Sequence, residues 1–253
     1  MEIVFKVPEE STDYPERSDF VVSRISAVIQ DSIEKGRNRI FIHTNLRRGL
    51  PLENINKVAG PFIEAWAMEQ FEQIADDAGN RHDLIHAESR QRLDPSDIIL
   101  QFRTRGGEAE YVSANVDVKA TAEDIAKAGK SPNITSYARI RAGYVEDPDY
   151  IFIILSLKHR VFSEKQPDGM TNGVMEVVAC SVYDIKYIAA RDLNYNRALG
   201  TGQLQIRDIR YVETVRRTSW EFCQMLDQKF IKSKGEEAWL RMATKSGWIK
   251  TDA

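Results

Sequence analysis

One stretch constrains the chain most: Asp94 to Asn133, which reads DPSDIILQFRTRGGEAEYVSANVDVKATAEDIAKAGKSPN. Asp97 to Arg103 is rich in Ile, Leu and Phe and predicts a strand. Gly106 and Gly107 supply a turn, because glycine reaches positive φ cheaply. Glu110 to Lys119 predicts a second strand. Side chains alternate along a strand, so Asn115, Asp117 and Lys119 share one face, and Val116 and Val118 take the other. Folding about the two glycines places Asp97 opposite residue 116, beside Asp117. One bulge residue would bring the two acids fully opposite, about 5 Å apart at Cβ. Two carboxylates and a lysine then meet at one spot.

Carboxylates that close repel unless a cation lies between them. Mg²⁺ accepts carboxylate oxygens, keeps several waters and can hold a substrate phosphate as well. A lysine beside it can orient or help deprotonate a water, and a metal-bound water is a strong nucleophile. The trio suits phosphodiester hydrolysis. It equally describes a solvated hairpin face with an incidental salt bridge, and the residues alone leave both open.

The acid-x-Lys pattern occurs three times, as Asp117-Val-Lys119, Asp184-Ile-Lys186 and Asp227-Gln-Lys229. The second has Pro167-Asp168 upstream, but Pro167-Asp168-Gly169 predicts a turn that aims Asp168 at solvent. Asp227 falls in a helical pattern.

The composition, 42% hydrophobic and 29% charged over 253 residues, fits an ordinary soluble protein. No apolar run approaches the ~20 residues of a membrane helix, and the first residues lack a signal-peptide pattern. Cys180 and Cys223 have no ligand-like spacing, which fits reduced thiols in a cytoplasmic bacterial protein. A net charge of −3 argues against a uniformly basic nucleic-acid binder, yet Arg207 to Lys234 carries seven Lys/Arg against four Asp/Glu. That cluster is either a phosphate track or a solvated helix face.

Along the chain, Ser18 is expected to cap a helix with an Ile/Val stripe that ends at Gly36. Arg39 to Thr44 predicts a strand. Gly60-Pro61 is expected to open a second helix, with proline at its first position and Glu64 one turn in. There Glu64 either answers the helix dipole or serves as an outer metal or water ligand. His82 and His86 are four apart but lack a third ligand. Ser131-Pro132-Asn133 predicts a helix start, running to about Val145. Tyr150 to Leu157 predicts a central strand. Asn194 to Gly202 predicts a loop between strands at Val174 to Val182 and Leu204 to Ile209. Thr218 to Glu221 forms a capping box, and a short helix near Glu236 to Thr244 follows. These elements imply one α/β domain over residues 1–253, a mixed β-sheet flanked by helices.

Ser96-Asp97 followed by Asp117-Val-Lys119 resembles the PD-(D/E)xK nuclease core, with Pro95 one residue further back than the pattern has it. The likeness extends through Gly49 to Asn56, Ala59 to Trp66, Asn115 to Thr121, Ser131 to Ser136 and Ala198 to Gln203. Over most of its length the chain resembles the type II restriction endonucleases of that superfamily, and most nearly those that cut to blunt ends.

The resemblance implies a restriction-endonuclease-like core with a catalytic hairpin at about 96–119 and a recognition loop at about 194–205. It implies that Asp97, Asp117 and the Val118 carbonyl bind Mg²⁺, that Lys119 positions the attacking water, and that Glu64 is the helical acid of the group. Lys130 and Asn133 would lie near DNA. Asn196, Arg197, Gly200 and Thr201 would enter the major groove, with Gln203 and Arg207 alongside. A homodimer on a palindrome of double-stranded DNA is expected, with GTTAAC cut centrally, leaving 5′-phosphates. A cognate methyltransferase is expected in the host without a stable complex, and no membrane partner. A repair or structure-specific nuclease, or a DNA-binding protein without catalysis, are the alternatives.

Overall fold

The computed structural model describes residues 3–91, 94–104, 111–123, 130–198 and 202–251. In chain order the first elements are β1 (Ile3–Phe5), α1 (Tyr14–Glu34), β2 (Arg39–Ile42), α2 (Leu52–Ala75), β3 (Leu84–Ser89) and β4 (Ile98–Arg103). Next come β5 (Tyr111–Ala122), β6 (Asn133–Ser136), α3 (Tyr137–Glu146), β7 (Phe152–Lys165) and β8 (Thr171–Asp184). The last are β9 (Leu193–Asn196), β10 (Gln203–Ile206), α4 (Ser219–Lys234), α5 (Glu236–Lys245) and β11 (Ile249–Thr251). The α/β class follows from this order. No helix among the described residues is long and apolar enough to cross a membrane.

The chain forms two compact units. One comprises Asp19–Lys130 and Ile153–Tyr183. Its centre is a six-stranded sheet in the order β2-β8-β7-β5-β4-β3. β7 opens with a buried apolar run, Phe152 to Leu157, interrupted only by the buried Ser156, as a strand covered on both faces requires. It runs eight residues beyond the apolar core that predicted it, because its second half is exposed on one face and alternates. α2 lies against β3, β5 and β2 and buries Ile55, Ile63, Trp66, Phe71 and Ile74.

α2 starts at Leu52, not at Pro61, and Pro61 lies inside it. A proline there removes the bond that the Lys57 carbonyl would accept. Lys57 and Pro61 are on the exposed side, where water can serve that carbonyl. α1 likewise begins at Tyr14, with Pro15 in its first turn. Ser18 is therefore a buried helical residue rather than a cap, and its hydroxyl donates to Asp184 at 2.7 Å.

The other unit comprises Met1–Ser18, Ser131–Phe152 and Asp184–Ala253. It holds a three-stranded sheet, β6-β10-β9, and a two-stranded one, β1-β11. The expected capping box is present: Thr218 accepts from the Glu221 amide, and the Glu221 side chain accepts from the Thr218 amide. Tyr137 stacks on Phe230 at 4.9 Å and meets Trp248 edge-on.

The expected helix at Ser131 is corrected. Asn133 to Ser136 is strand β6, and the helix begins at Tyr137 with Ser136 accepting from the Arg139 amide. Pro132 suits a strand lead-in as well as a first helical turn, and Ile134 and Thr135 bury as sheet residues do. The expected loop from Asn194 is partly strand, since β9 covers Leu193 to Asn196. Gly106, Gly107, Gly200 and Thr201 lie outside the described residues.

Candidate active site

β4 and β5 pair antiparallel, with Ile98 opposite Val116. Asp97 lies one residue before that pair, close enough that its charge acts on Asp117. The register differs by one residue from a simple fold about Gly106 and Gly107. The Asp97 amide donates to the Val116 carbonyl at 2.9 Å. Its carboxylate Oδ2 accepts from the Val118 amide at 2.7 Å, so the acid is aimed by the neighbouring strand's backbone.

Asp117 is 4% exposed. Its Oδ1 accepts from Lys119 Nζ at 2.8 Å, two residues along the same strand face. Its Oδ2 is buried with no hydrogen-bond partner among the described residues. Burial pushes the Asp117 carboxyl up to about 7; Lys119 opposes the rise, while Asp97 and, less strongly, Glu64 add to it. A buried carboxylate oxygen without a partner is costly unless a proton or a cation satisfies it.

Glu64 projects from the middle of α2, three turns from its start. The helix dipole acts within the first turn, so it does not explain this placement. Burial raises the Glu64 carboxyl, and the charge of Asp97 raises it further against the pull of Lys119. Glu64 and Asp97 both line a cleft of about 590 Å³, with Ser96, Arg90, Gln91 and Asp94.

The donor set fits a hard divalent cation: two carboxylates, one with an orphaned oxygen, and the Val118 carbonyl on the intervening residue. Among the described residues no three His, Cys, Asp or Glu side chains form a ready cage. A two-carboxylate site suits Mg²⁺, which keeps several waters. His82 and His86 are not such a cage either: His82 is buried, and His86 meets Glu88 at 3.5 Å.

The rival acid-x-Lys pairs are structural. Asp184 is fully committed, accepting from Tyr14, Ser18 and the Lys186 amide. Lys186 Nζ pairs with Glu10 and Ser219. Asp168 belongs to a turn, where it accepts from the Met170 amide and Gly169 takes φ +80°. Asp227 accepts from Tyr137 and Arg141.

In the second unit, β10 brings the described recognition candidates together. Gln203 pairs with Asn196, and Asn196 Nδ2 donates to Asn133 Oδ1 at 3.5 Å. Arg197 and Arg207 are exposed just beyond β9 and β10, and Lys130 is part-exposed ahead of β6. Sequence reasoning did not select Arg90, whose amide donates to the Asp97 carbonyl at 2.8 Å and whose guanidinium pairs with Asp94 at 3.1 Å. No local pattern marks it; only the fold carries it to the cleft.

A family model described as type II restriction endonuclease HpaI matches residues 1–247. The type II restriction enzyme HpaI of Haemophilus parainfluenzae is 50% identical over 252 residues, covering 98% of each chain. This chain belongs to the HpaI family of type II restriction endonucleases.

Proposed function

We propose that this enzyme hydrolyses both strands of DNA at GTTAAC, cutting centrally to leave blunt ends and 5′-phosphates, with Mg²⁺ as its metal. The observation that carries the chemistry is the buried Asp117 Oδ2, without a hydrogen-bond partner among the described residues and close enough to Asp97 to feel its charge. Half of all positions are shared with HpaI, which supports carrying its kind of specificity over. Recognition loops change specificity through few substitutions, at about 1–3 kcal/mol per base pair, so the exact palindrome needs its own test.

Asp97, Asp117 and the Val118 carbonyl would hold the ion. Bound there, it would polarise the scissile phosphate and make an attacking water more acidic. The chain's own groups do the rest. The Val118 amide fixes the Asp97 carboxylate. Lys119, held by Asp117, orients the attacking water in line with the scissile bond and balances charge as it develops. Glu64, which lines the same cleft as Asp97, holds outer water. Lys130, Arg197 and Arg207 contact phosphates, while Asn133, Asn196, Gly200, Thr201 and Gln203 approach base edges in the major groove.

A palindrome calls for two copies related by a two-fold axis, so the working enzyme is a homodimer, each chain acting as one restriction-endonuclease domain in the bacterial cytoplasm. Its host needs a methyltransferase to protect the same site.

The test is digestion of a long, sequenced, unmethylated DNA with Mg²⁺, followed by sequencing of every end. Blunt ends at GTTAAC bear the proposal out. Blunt ends at another palindrome keep the chemistry and discard the site. Scattered ends, or ends confined to mismatches, reject sequence-specific cutting.

A further inference from the structure

The three-stranded sheet of the second unit has two unlike faces. Gln203 and Gln205 alternate with Leu204 and Ile206 along β10. Gln203 pairs with Asn196 and Gln205 with Asn194 on one side, and Gln205 pairs with Asn133 on the other. Directly paired residues point the same way, so five amide side chains share one face. The hydrogen bond between Asn196 and Asn133 confirms that these two lie together. Leu193, Leu204, Ile206 and Ile134 are buried, which fixes the sheet from behind. Its strands read NITS, LNYN and QLQI, without one charged residue, in a chain that is 29% charged.

A solvated sheet face in such a chain would carry lysine and glutamate. This one is neutral where a ligand would meet it and cationic just beyond, at Arg197 and Arg207. That division matches a DNA groove, in which phosphates at the margins take cations and base edges in the middle take hydrogen-bonding groups. Residues i and i+2 of a strand are about 6.7 Å apart, close to two base-pair steps of about 3.4 Å each. Gln203 and Gln205 therefore match the spacing of bases two apart. The major groove admits a β-ribbon, and an Asn or Gln amide there can bond adenine N6 and N7 together. Some of this capacity is spent internally: Gln205 Nε2 donates to the Ser131 carbonyl at 2.9 Å, and Asn196 Oδ1 accepts from the Ala198 amide at 3.0 Å. Asn194 is exposed, and among the described residues its side chain makes no hydrogen bond.

We propose that this amide face is a reading surface for base edges, and that Asn194 and Gln205, at the two ends of the expected recognition segment, are further specificity-determining residues. The inference rests on the enzyme being a site-specific DNA endonuclease.

The experiment compares wild type, Asn194→Ala and Gln205→Ala on a pool of duplexes holding the wild-type site and every single base-pair change in it. Competitive kcat/KM is read by sequencing, and Tm is recorded for each protein. The expected result is a loss of discrimination of about 10- to 100-fold, confined to one base pair in each half-site. Arg207→Ala provides the contrast, weakening binding to all sequences alike and lowering the salt slope by about one. Unchanged discrimination in both folded amide variants overturns the proposal. So does an equal loss on every duplex, which would mean that the amides only support the backbone. Scattered cutting by wild type would instead reject the parent reading, a result visible before any variant is made.

Discussion

The Val118 amide donates to Asp97 Oδ2 at 2.7 Å, so the residue between Asp117 and Lys119 is what aims the opposing carboxylate. The pattern acid-x-Lys thus supplies three things from three consecutive residues: a buried carboxylate, a backbone clamp for the opposing carboxylate, and a cation. Its middle residue is chosen for the sheet. Val118 is buried, and its side chain anchors the backbone that carries the clamp.

Asp117→Asn should abolish cleavage while leaving sequence-specific binding measurable. It should also stabilise the metal-free protein at pH 8. Burial has raised this carboxyl to about 7, so at pH 8 the wild type holds a buried charge that an amide does not. A gain of about 1–3 kcal/mol is expected, after discounting the shift for water penetration and relaxation. Thermal unfolding in EDTA checks it. A variant no more stable than wild type would mean that the site is wetter than the structure has it.

Metal binding should depend on pH through the same group. A raised carboxyl binds its proton more tightly when folded than when unfolded. Its contribution to stability is therefore full below the unfolded value of about 3.9 and is lost as pH rises through about 7. A cation must displace that proton, so Mg²⁺ affinity should fall about tenfold per unit below pH 7 and level off above it. Calorimetric titration of the DNA-free protein between pH 6 and 8.5 measures this. A flat profile would mean that Asp117 is already ionised at pH 6.

Asp184→Ala separates the two leading acid-x-Lys pairs. Asp184 is buried and accepts hydrogen bonds from Tyr14, Ser18 and Lys186. Removing it strands the buried Ser18 hydroxyl and leaves that of Tyr14 to the Tyr150 carbonyl at 3.2 Å, a loss of about 1–3 kcal/mol. The folded fraction should still bind Mg²⁺ and cut at the same site. A stable but inactive variant would move the metal site to Asp184.

The proximity of Asp97, Asp117 and Lys119 was legible because a strand hairpin obeys two simple rules, alternation and opposition. Asp97, Asp117 and Lys119 follow from them, apart from a one-residue register that depends on the turn. Glu64 was legible as an acid near a helix, but its position was misread, since Gly60-Pro61 looks like a helix start. The chain tolerates that proline because the carbonyl it deprives faces water. Asn133 was misread for a similar reason: Ser-Pro-Asn satisfies the rules for a helix start, and only pairing with β10, 70 residues away, makes it a strand. Arg90 was invisible, because nothing local distinguishes a cleft arginine from a surface one.

Gly202→Ala tests how tightly β9 and β10 must approach. Gly202 takes φ +99°, and an added Cβ would sit 1.9 Å from the Tyr195 hydroxyl and 2.2 Å from its ring. Tyr195 cannot yield freely, since its ring packs edge-on against Tyr137 and Phe230. The substitution therefore combines left-handed strain with a collision, at about 2–4 kcal/mol. The cost should fall on the strand that carries Gln203 and Gln205, so sequence-specific binding should weaken by at least tenfold. Binding assays on cognate and unrelated duplexes decide the matter. If cognate binding survives while Tm drops, the β9–β10 register tolerates distortion, and base recognition rests elsewhere than on this sheet.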